Sequence, residues 1–218
     1  MLRKTVKRTT SARIPTKYGE FQLCYYTNSE DAREHLAFYL GEIDQGEDIL
    51  VRVHSECFTG EVLGSTRCDC GEQLDRALQM IAKEGRGALI YMRQEGRGIG
   101  LMKKIEAYNL QDAGYDTVDA NLMLGHGADE REYALAARIL EDLGISSIRL
   151  MTNNPSKIEG LSGEGIIISA RVGFESTVTP ENKRYLQTKV ERMSHVLNLK
   201  NIKKVTASDV LHEPQPTN

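Results

Sequence analysis

The chain has 218 residues, a formal net charge of -3, 40% apolar and 27% charged side chains, an ordinary globular composition with enough length for one domain and a sizeable core. Without a surplus of Lys and Arg it is not a general nucleic-acid binder, and no run approaches the roughly 20 apolar residues of a membrane-spanning helix. With no apolar signal-peptide core, the expected setting is reducing and cytoplasmic, and the four cysteines are expected to stay unpaired.

The first residues, MLRKTVKRTTSARIP, are basic and rich in Ser and Thr. They have some likeness to a transit peptide, but residues 1–13 read as a short flexible tail, because patterned sequence starts by Gly19. Phe21 to Thr27 reads as a strand, with Cys24 in the core. Glu30 to Gly46 is a polar connection with room for a helical turn around Ala32 to Leu40. Ile49 to His54 is a strand in which Ile49, Val51 and Val53 alternate with Leu50, Arg52 and His54. Glu56 to Gly71 is an irregular loop rich in Gly, Ser, Thr and Cys. Glu72 to Lys83 carries Leu74, Ala77, Leu78 and Ile81 at helical spacing.

Ala88 to Met92 reads as a buried strand that runs into Arg93-Gln94-Glu95-Gly96-Arg97-Gly98-Ile99-Gly100. A helix follows, with Leu101, Ile105 and Tyr108 on one face. Thr117 to Leu124 is ambiguous. Asp129 is expected to open a helix that points Tyr133, Ala136, Ala137, Leu140 and Leu143 inward. Ser147 to Thr152 is a strand, broken by Asn153-Asn154-Pro155. Ile166 to Val172 is a β-branched run. Thr179 and Pro180 suit an N-cap and first helical position, ahead of a helix burying Leu186, Val190, Met193 and Leu197. The pattern fades near Asn198, so residues 14–198 read as one domain and 199–218 as a tail, disordered in part. Strands alternating with helices give an α/β or α+β class.

Ten residues separate Cys57 from Cys68, and Asp69 alone separates Cys68 from Cys70. A closed structural zinc site takes four side-chain ligands, whereas three ligands and a water are the arrangement of a catalytic zinc. Two other readings stand beside this one. His54 could close the site as a fourth ligand, or the thiols could be ordinary core residues. The polar, glycine-rich loop speaks against the second.

These cysteines sit within His54-Ser55-Glu56-Cys57 and Arg67-Cys68-Asp69-Cys70-Gly71-Glu72-Gln73-Leu74. In these segments the chain resembles the GTP cyclohydrolase II family. The likeness continues through Arg93 to Leu101, Leu110-Gln111-Asp112, Tyr115-Asp116-Thr117, Ala128-Asp129-Glu130-Arg131 and Thr152-Asn153-Asn154-Pro155, covering roughly Ile14 to Leu197. Two places depart from it: His126, and Gly173-Phe174 where the family usually has Pro-Leu.

The resemblance implies a mixed sheet with surrounding helices, and one zinc per chain on Cys57, Cys68 and Cys70. It implies water attack at C8 of GTP, with release of formate and pyrophosphate, and a product that feeds riboflavin synthesis. Substrate contacts are implied at Arg52, Val53, His54, Ser55, Glu56, Gln73, Glu95, Gly96, Arg97, Thr117, Thr152 and Lys157. Tyr108 is implied beside the zinc, assisting the ring chemistry. Arg131 is implied at the α-phosphorus with Asp129 helping it, either as a nucleophile or as an electrostatic clamp. Asp129 by itself fits a helix N-cap, but a cation in a first helical turn opposes the helix dipole, so Arg131 needs another task. Magnesium is expected with the triphosphate, and the family is usually a homodimer. Relatives are often fused to a dihydroxybutanone-phosphate synthase, and 218 residues leave no room for one, so the cyclohydrolase alone is expected. A variant enzyme of another guanine-derived pathway, and a non-catalytic guanine-nucleotide-binding zinc protein, are the competing readings.

Overall fold

The computed structural model describes residues 3–197. Its strands are β1 (Val6–Thr16), β2 (Gly19–Asn28), β3 (His35–Leu40), β4 (Ile49–Ser55), β5 (Gly87–Met92), β6 (Ser147–Met151) and β7 (Ile167–Val172). They form one mixed sheet in the order β1-β2-β3-β5-β4-β6-β7. The first half, β1 to β3 and on to β5, is antiparallel; β5, β4, β6 and β7 are parallel. The helices are α1 (Phe58–Glu61), α2 (Cys70–Glu84), α3 (Gly100–Asp112), α4 (Thr117–Met123), α5 (Ala134–Asp142), α6 (Pro155–Gly163) and α7 (Lys183–Met193), with a 3-10 turn at Glu95–Gly98. Among the described residues no helix is long and apolar enough to cross a membrane.

The alternation in β4 sets the layers. Ile49, Val51 and Val53 face a core shared with Ala136, Ile139 and Leu140 of α5 and Leu161 of α6. Leu50 faces the other way, onto Ala77 and Ile81 of α2. Both faces of β4 are therefore covered, as its apolar residues require. The carboxyl ends of β4, β5 and β6 then open on one side, where parallel sheets bind ligands. Cys24 is fully buried in the core, as its apolar surroundings implied.

Several elements differ from the sequence reading. The segment read as a flexible tail is largely β1, paired with β2 from Val6↔Asn28 to Thr16↔Gly19. Its side chains are mostly exposed, so the polar composition reports solvation while the main chain is held by the ladder. The helical turn expected around Ala32 to Leu40 is β3, flanked on both sides by β2 and β5. A short apolar run inside a sheet has no period that tells helix from strand. Thr117–Met123 is helix α4, capped by Asp116, whose carboxylate accepts from Val118 N and Asp119 N.

Asp129 does not open α5; that helix starts at Ala134. The main chain of the preceding residues is engaged elsewhere: Glu130 N donates to the Arg97 carbonyl at 3.0 Å, and Gln94 donates to the Glu132 carbonyl at 2.8 Å. The Leu101–Ile105 face of α3 is exposed, at 36% and 49%, and the helix instead buries Lys104 and Ala107. Thr179 sits in a turn ahead of α7 and exchanges hydrogen bonds with Asn182, the residue preceding the helix. Leu197 lies beyond the end of α7. The tail expected over 199–218 lies outside the described residues.

Candidate active site and metal centre

The chain leaves β4 at Ser55 and reaches Cys57 two residues later, at the start of α1. Cys68 and Cys70 lie at the start of α2, so two element ends bring the three thiols together. Their Sγ atoms all lie within 4.8 Å of one another. Cys57 and Cys68 are 3.6 Å apart, too far for a disulfide, whose S–S bond is about 2.05 Å. Tetrahedral zinc with Zn–S bonds of about 2.3 Å places two sulfurs about 3.8 Å apart, so the spacing suits that metal. Gly60 keeps the cradle open: a Cβ there would lie 2.9 Å from Cys68 Sγ and 3.2 Å from Cys57 Sγ.

Hydrogen bonds from the Cys68 and Cys70 thiols, and then the Lys104 ammonium, hold Cys57 far below its ordinary range, as a thiolate. Lys104 Nζ is 3.1 Å from Cys57 Sγ and 2.7 Å from Glu95 Oε1. His54 is not in the thiol group. Its Nε2 is 2.8 Å from Glu61 Oε1, and the other Glu61 oxygen accepts from the Tyr91 hydroxyl at 2.6 Å. A four-ligand site closed by His54 is therefore not formed, and among the described residues the three thiols stand without a fourth ligand.

The thiols lie in the wall of a cleft of about 1120 Å³, counting the space continuous with solvent. Of the residues named from the sequence, Arg52, His54, Ser55, Glu56, Gln73, Glu95, Gly96, Arg97, Tyr108, Thr117, Arg131, Thr152 and Lys157 line it with Cys57, Cys68 and Cys70. Val53 does not: its side chain is fully buried in the core, and its carbonyl accepts from Lys157 Nζ at 2.7 Å. Asp129 stands behind the wall and pairs with Arg131, accepting from its Nε at 2.7 Å and from its backbone N at 3.1 Å.

Arg131 is not the first-turn residue that the sequence suggested, since α5 starts only at Ala134. Its side chain is 12% exposed. Burial works against its charge, but Asp129 outweighs burial and holds the guanidinium protonated above its usual range. Tyr108 donates to, or accepts from, Thr59 Oγ1 at 3.1 Å, and that hydroxyl lies 3.8 Å from Cys57 Sγ. Burial pushes the Tyr108 phenol upward, so it carries its proton at neutral pH.

Although the whole chain is acidic, the cleft is not. Arg52, Arg67, Arg97, Lys104, Arg131, Lys157 and Lys189 line it, against Glu56 and Glu95. Burial, followed by Arg52 and Arg131, drives Lys157 well below its ordinary value; burial brings Arg52 down to about 10. The 3-10 turn adds strain at one residue: Gly96 and Arg97 both adopt left-handed φ, 63° and 62°, which costs the glycine nothing and the arginine something. Strain of that kind persists where surrounding structure imposes it, commonly at sites of function. Among the described residues, nine buried side-chain polar groups lack a protein partner. Those of Arg52, His54, Ser55, Gln94, Arg97, Asn121, Asn154 and His195 belong to cleft-lining residues; Tyr133 is the exception. Unsatisfied groups gathered in one place mark where a polar ligand belongs.

Several lining residues escaped the sequence reading. Lys104 comes from α3, and Tyr185, Lys189 and Met193 come from α7, followed by His195. Lys189 reaches Asp69, between two of the thiol residues, at 2.6 Å. The two departures from the family are placed as well. His126 is 3.2 Å from Glu130 and lies outside the cleft. The Phe174 ring packs against the Arg52 guanidinium, 4.7 Å from centroid to carbon.

A profile of the GTP cyclohydrolase II family matches residues 7–173. The riboflavin biosynthesis protein RibBA of Mycobacteroides abscessus is 58% identical over 199 residues, 89% of this chain and 48% of that protein. RibBA of Bacillus cereus is 54% identical over 194 residues, 89% of this chain and 49% of that protein. The monofunctional riboflavin biosynthesis protein RIBA 3, chloroplastic, of Arabidopsis thaliana is 53% identical over 88% of this chain and 38% of its own length. A solved two-domain 3,4-dihydroxy-2-butanone 4-phosphate synthase, RibBX from A. baumannii, has a TM-score of 0.47 at 22% identity, over 77% of this chain and 40% of that one. The chain spans about half the length, or less, of these curated relatives. On the matched profile and these identities, the chain belongs to the GTP cyclohydrolase II family.

Proposed function

We propose that the chain hydrolyses GTP, opening the imidazole ring of the base and releasing formate and pyrophosphate, and so makes the diaminopyrimidinone precursor of riboflavin. The observation that carries this reading is one cleft holding both an open three-thiol centre and an unbalanced set of cations. A zinc ion on Cys57, Cys68 and Cys70 would supply Lewis-acid chemistry, making water a stronger nucleophile toward a formamidine-like carbon.

The chain's own groups divide the remaining work. Tyr108, protonated and close to the thiols, is placed to give a proton during the ring chemistry. Glu95 is fully engaged: it accepts from Phe58 N at 2.6 Å, Gly96 N at 2.8 Å and Lys104. It therefore shapes the turn that carries Arg97. Gln73 likewise links Arg52 to Asp69. Arg52, Arg97, Arg131 and Lys157 suit a triphosphate, with magnesium as the expected companion of its oxygens.

For Arg131 the pairing favours a clamp. A nucleophilic guanidine must first lose its proton, and Asp129 stabilises the protonated form. The exposed apolar side chains Val62 and Leu63 after α1, and Leu101, Met102 and Ile105 of α3, suit the homodimer expected of the family. A cytoplasmic setting remains the proposed location. Incubation of the zinc-loaded protein with GTP and magnesium, followed by mass spectrometry, tests the reading. The diaminopyrimidinone ribotide is expected, and recovery of unchanged GTP would refute it.

A further inference from the structure

Helix α7 ends at Met193, and Ser194 takes a left-handed φ of 53° that redirects the chain. Main-chain bonds fix the arm that follows. His195 N donates to the Lys189 carbonyl at 3.0 Å, and Val196 N donates to the Asn153 carbonyl at 2.9 Å. Asn153 belongs to the connection between β6 and α6, so the arm is tied to the wall that leads into Lys157.

The His195 side chain lines the cleft, and its Nε2 is shielded from solvent with no partner among the described residues. Lys189 of α7, Arg131 ahead of α5, Arg97 of the 3-10 turn and Lys157 of α6 line the same cleft, and each disfavours a positive charge on the ring. The carboxylates beside them are already taken, Asp129 by Arg131 and Asp69 by Lys189. A ring nitrogen sealed among cations satisfies nothing in the fold itself, and an unpaired polar group is costly to keep there.

We propose that His195 is a ligand of the bound triphosphate, its Nε2–H donating to a phosphate oxygen. The inference rests on the GTP reading above. Imidazole serves a phosphate best as imidazolium, when both ring nitrogens carry hydrogen and the bond is charge-assisted. With the cleft free of ligand, burial and then Lys189, Arg131, Arg97 and Lys157 keep the ring neutral, with its pKa down at about 3. A triphosphate brings several negative charges among the same groups and reverses the sign of the local field. Nucleotide binding is then linked to proton uptake at His195. The neutral ring meanwhile spares the ligand-free cleft one more repelling charge.

The test uses zinc-loaded protein and the α,β-methylene analogue of GTP, with guanosine as the phosphate-free control. Ring nitrogen shifts of His195, read by NMR at neutral pH, are expected to be those of neutral imidazole without ligand and of imidazolium in the complex. His195→Ala should weaken analogue binding about 10- to 100-fold and leave guanosine binding unchanged. His195→Gln, which keeps a neutral donor, should recover part of the loss. Analogue binding with unmoved His195 shifts, or with wild-type affinity in His195→Ala, overturns this inference alone. Failure of the wild type to bind the analogue would overturn the GTP reading and this inference with it.

Discussion

The ion pair between Asp69 and Lys189 fastens α7 over the thiol centre, and its removal should be costly on either side but far less so on both. The Asp69 side chain is fully buried and that of Lys189 is 9% exposed. Asp69 accepts from Lys189, Ser176 and Gln73, each at 2.6 Å. Burial opposes its ionisation, yet Lys189 and these donors outweigh burial and hold the carboxyl at about 2. Against an ordinary value near 3.9, that depression corresponds to roughly 2–3 kcal/mol favouring the charged form. Breaking a buried pair from one side leaves an uncompensated charge, typically at about 3–5 kcal/mol. Asp69→Asn, which strands Lys189, should therefore cost ~3 kcal/mol, and Lys189→Met somewhat less, because Ser176 and Gln73 still serve the carboxylate. The double variant Asp69→Asn/Lys189→Met removes both charges and should fall short of the sum by ~2 kcal/mol. Urea unfolding of the zinc-loaded proteins, followed by circular dichroism with zinc content measured in parallel, reads all three. Single-variant costs that add within about 0.5 kcal/mol would show that the two side chains do not depend on each other, and would refute the account of how α7 is held.

Four further outcomes are expected. Tyr108→Phe should keep the fold and slow or stop formate release, with a formamide product accumulating in the chromatogram; unchanged formate release would return Tyr108 to a packing role. Arg131→Ala should abolish turnover and, because the side chain is largely buried and paired with Asp129, cost about 1–3 kcal/mol in a denaturant titration. Arg131→Lys should regain part of the rate if the residue is a clamp, since the charge survives and only the bidentate geometry is lost; a fully inactive but folded Lys variant would speak for the nucleophile. Gly60→Ala pushes a methyl group to 2.9 Å from Cys68 Sγ, so a chelator-competition assay should show weaker zinc retention than in wild type, and equal retention would mean that the cradle is not tight.

Much of the site was legible because its residues follow strand ends. Arg52 and His54 alternate against Val51 and Val53, and the chain then runs directly into Cys57. Glu95 to Arg97 follow β5 and Thr152 follows β6 in the same way. Local order cannot show what distant segments bring. Lys104 and Lys189 each interrupt an apolar helical stripe, three positions after Leu101 and Leu186. A lysine on such a face is the one signal that could have found them. For α3 the stripe itself misled, since Leu101 and Ile105 point outward and Lys104 points in. Asp129 resembled an N-cap because capping residues look alike whether or not the next main-chain groups are free; here the Glu130 amide is bonded to Arg97. β1 was missed because an edge strand with mostly exposed side chains carries no hydrophobic period to read.

The thiol centre is proposed to open the base of GTP. This role is tested most directly with GTP isotopically labelled at the C8 carbon, followed by NMR in the presence of the zinc-loaded protein and magnesium, with Cys68→Ser run beside it. The label is expected to leave the purine and appear in formate with the wild type, and to stay in the nucleotide with the variant. Label retained in GTP by the zinc-loaded wild type, or released equally well by Cys68→Ser, would contradict this role of the thiols.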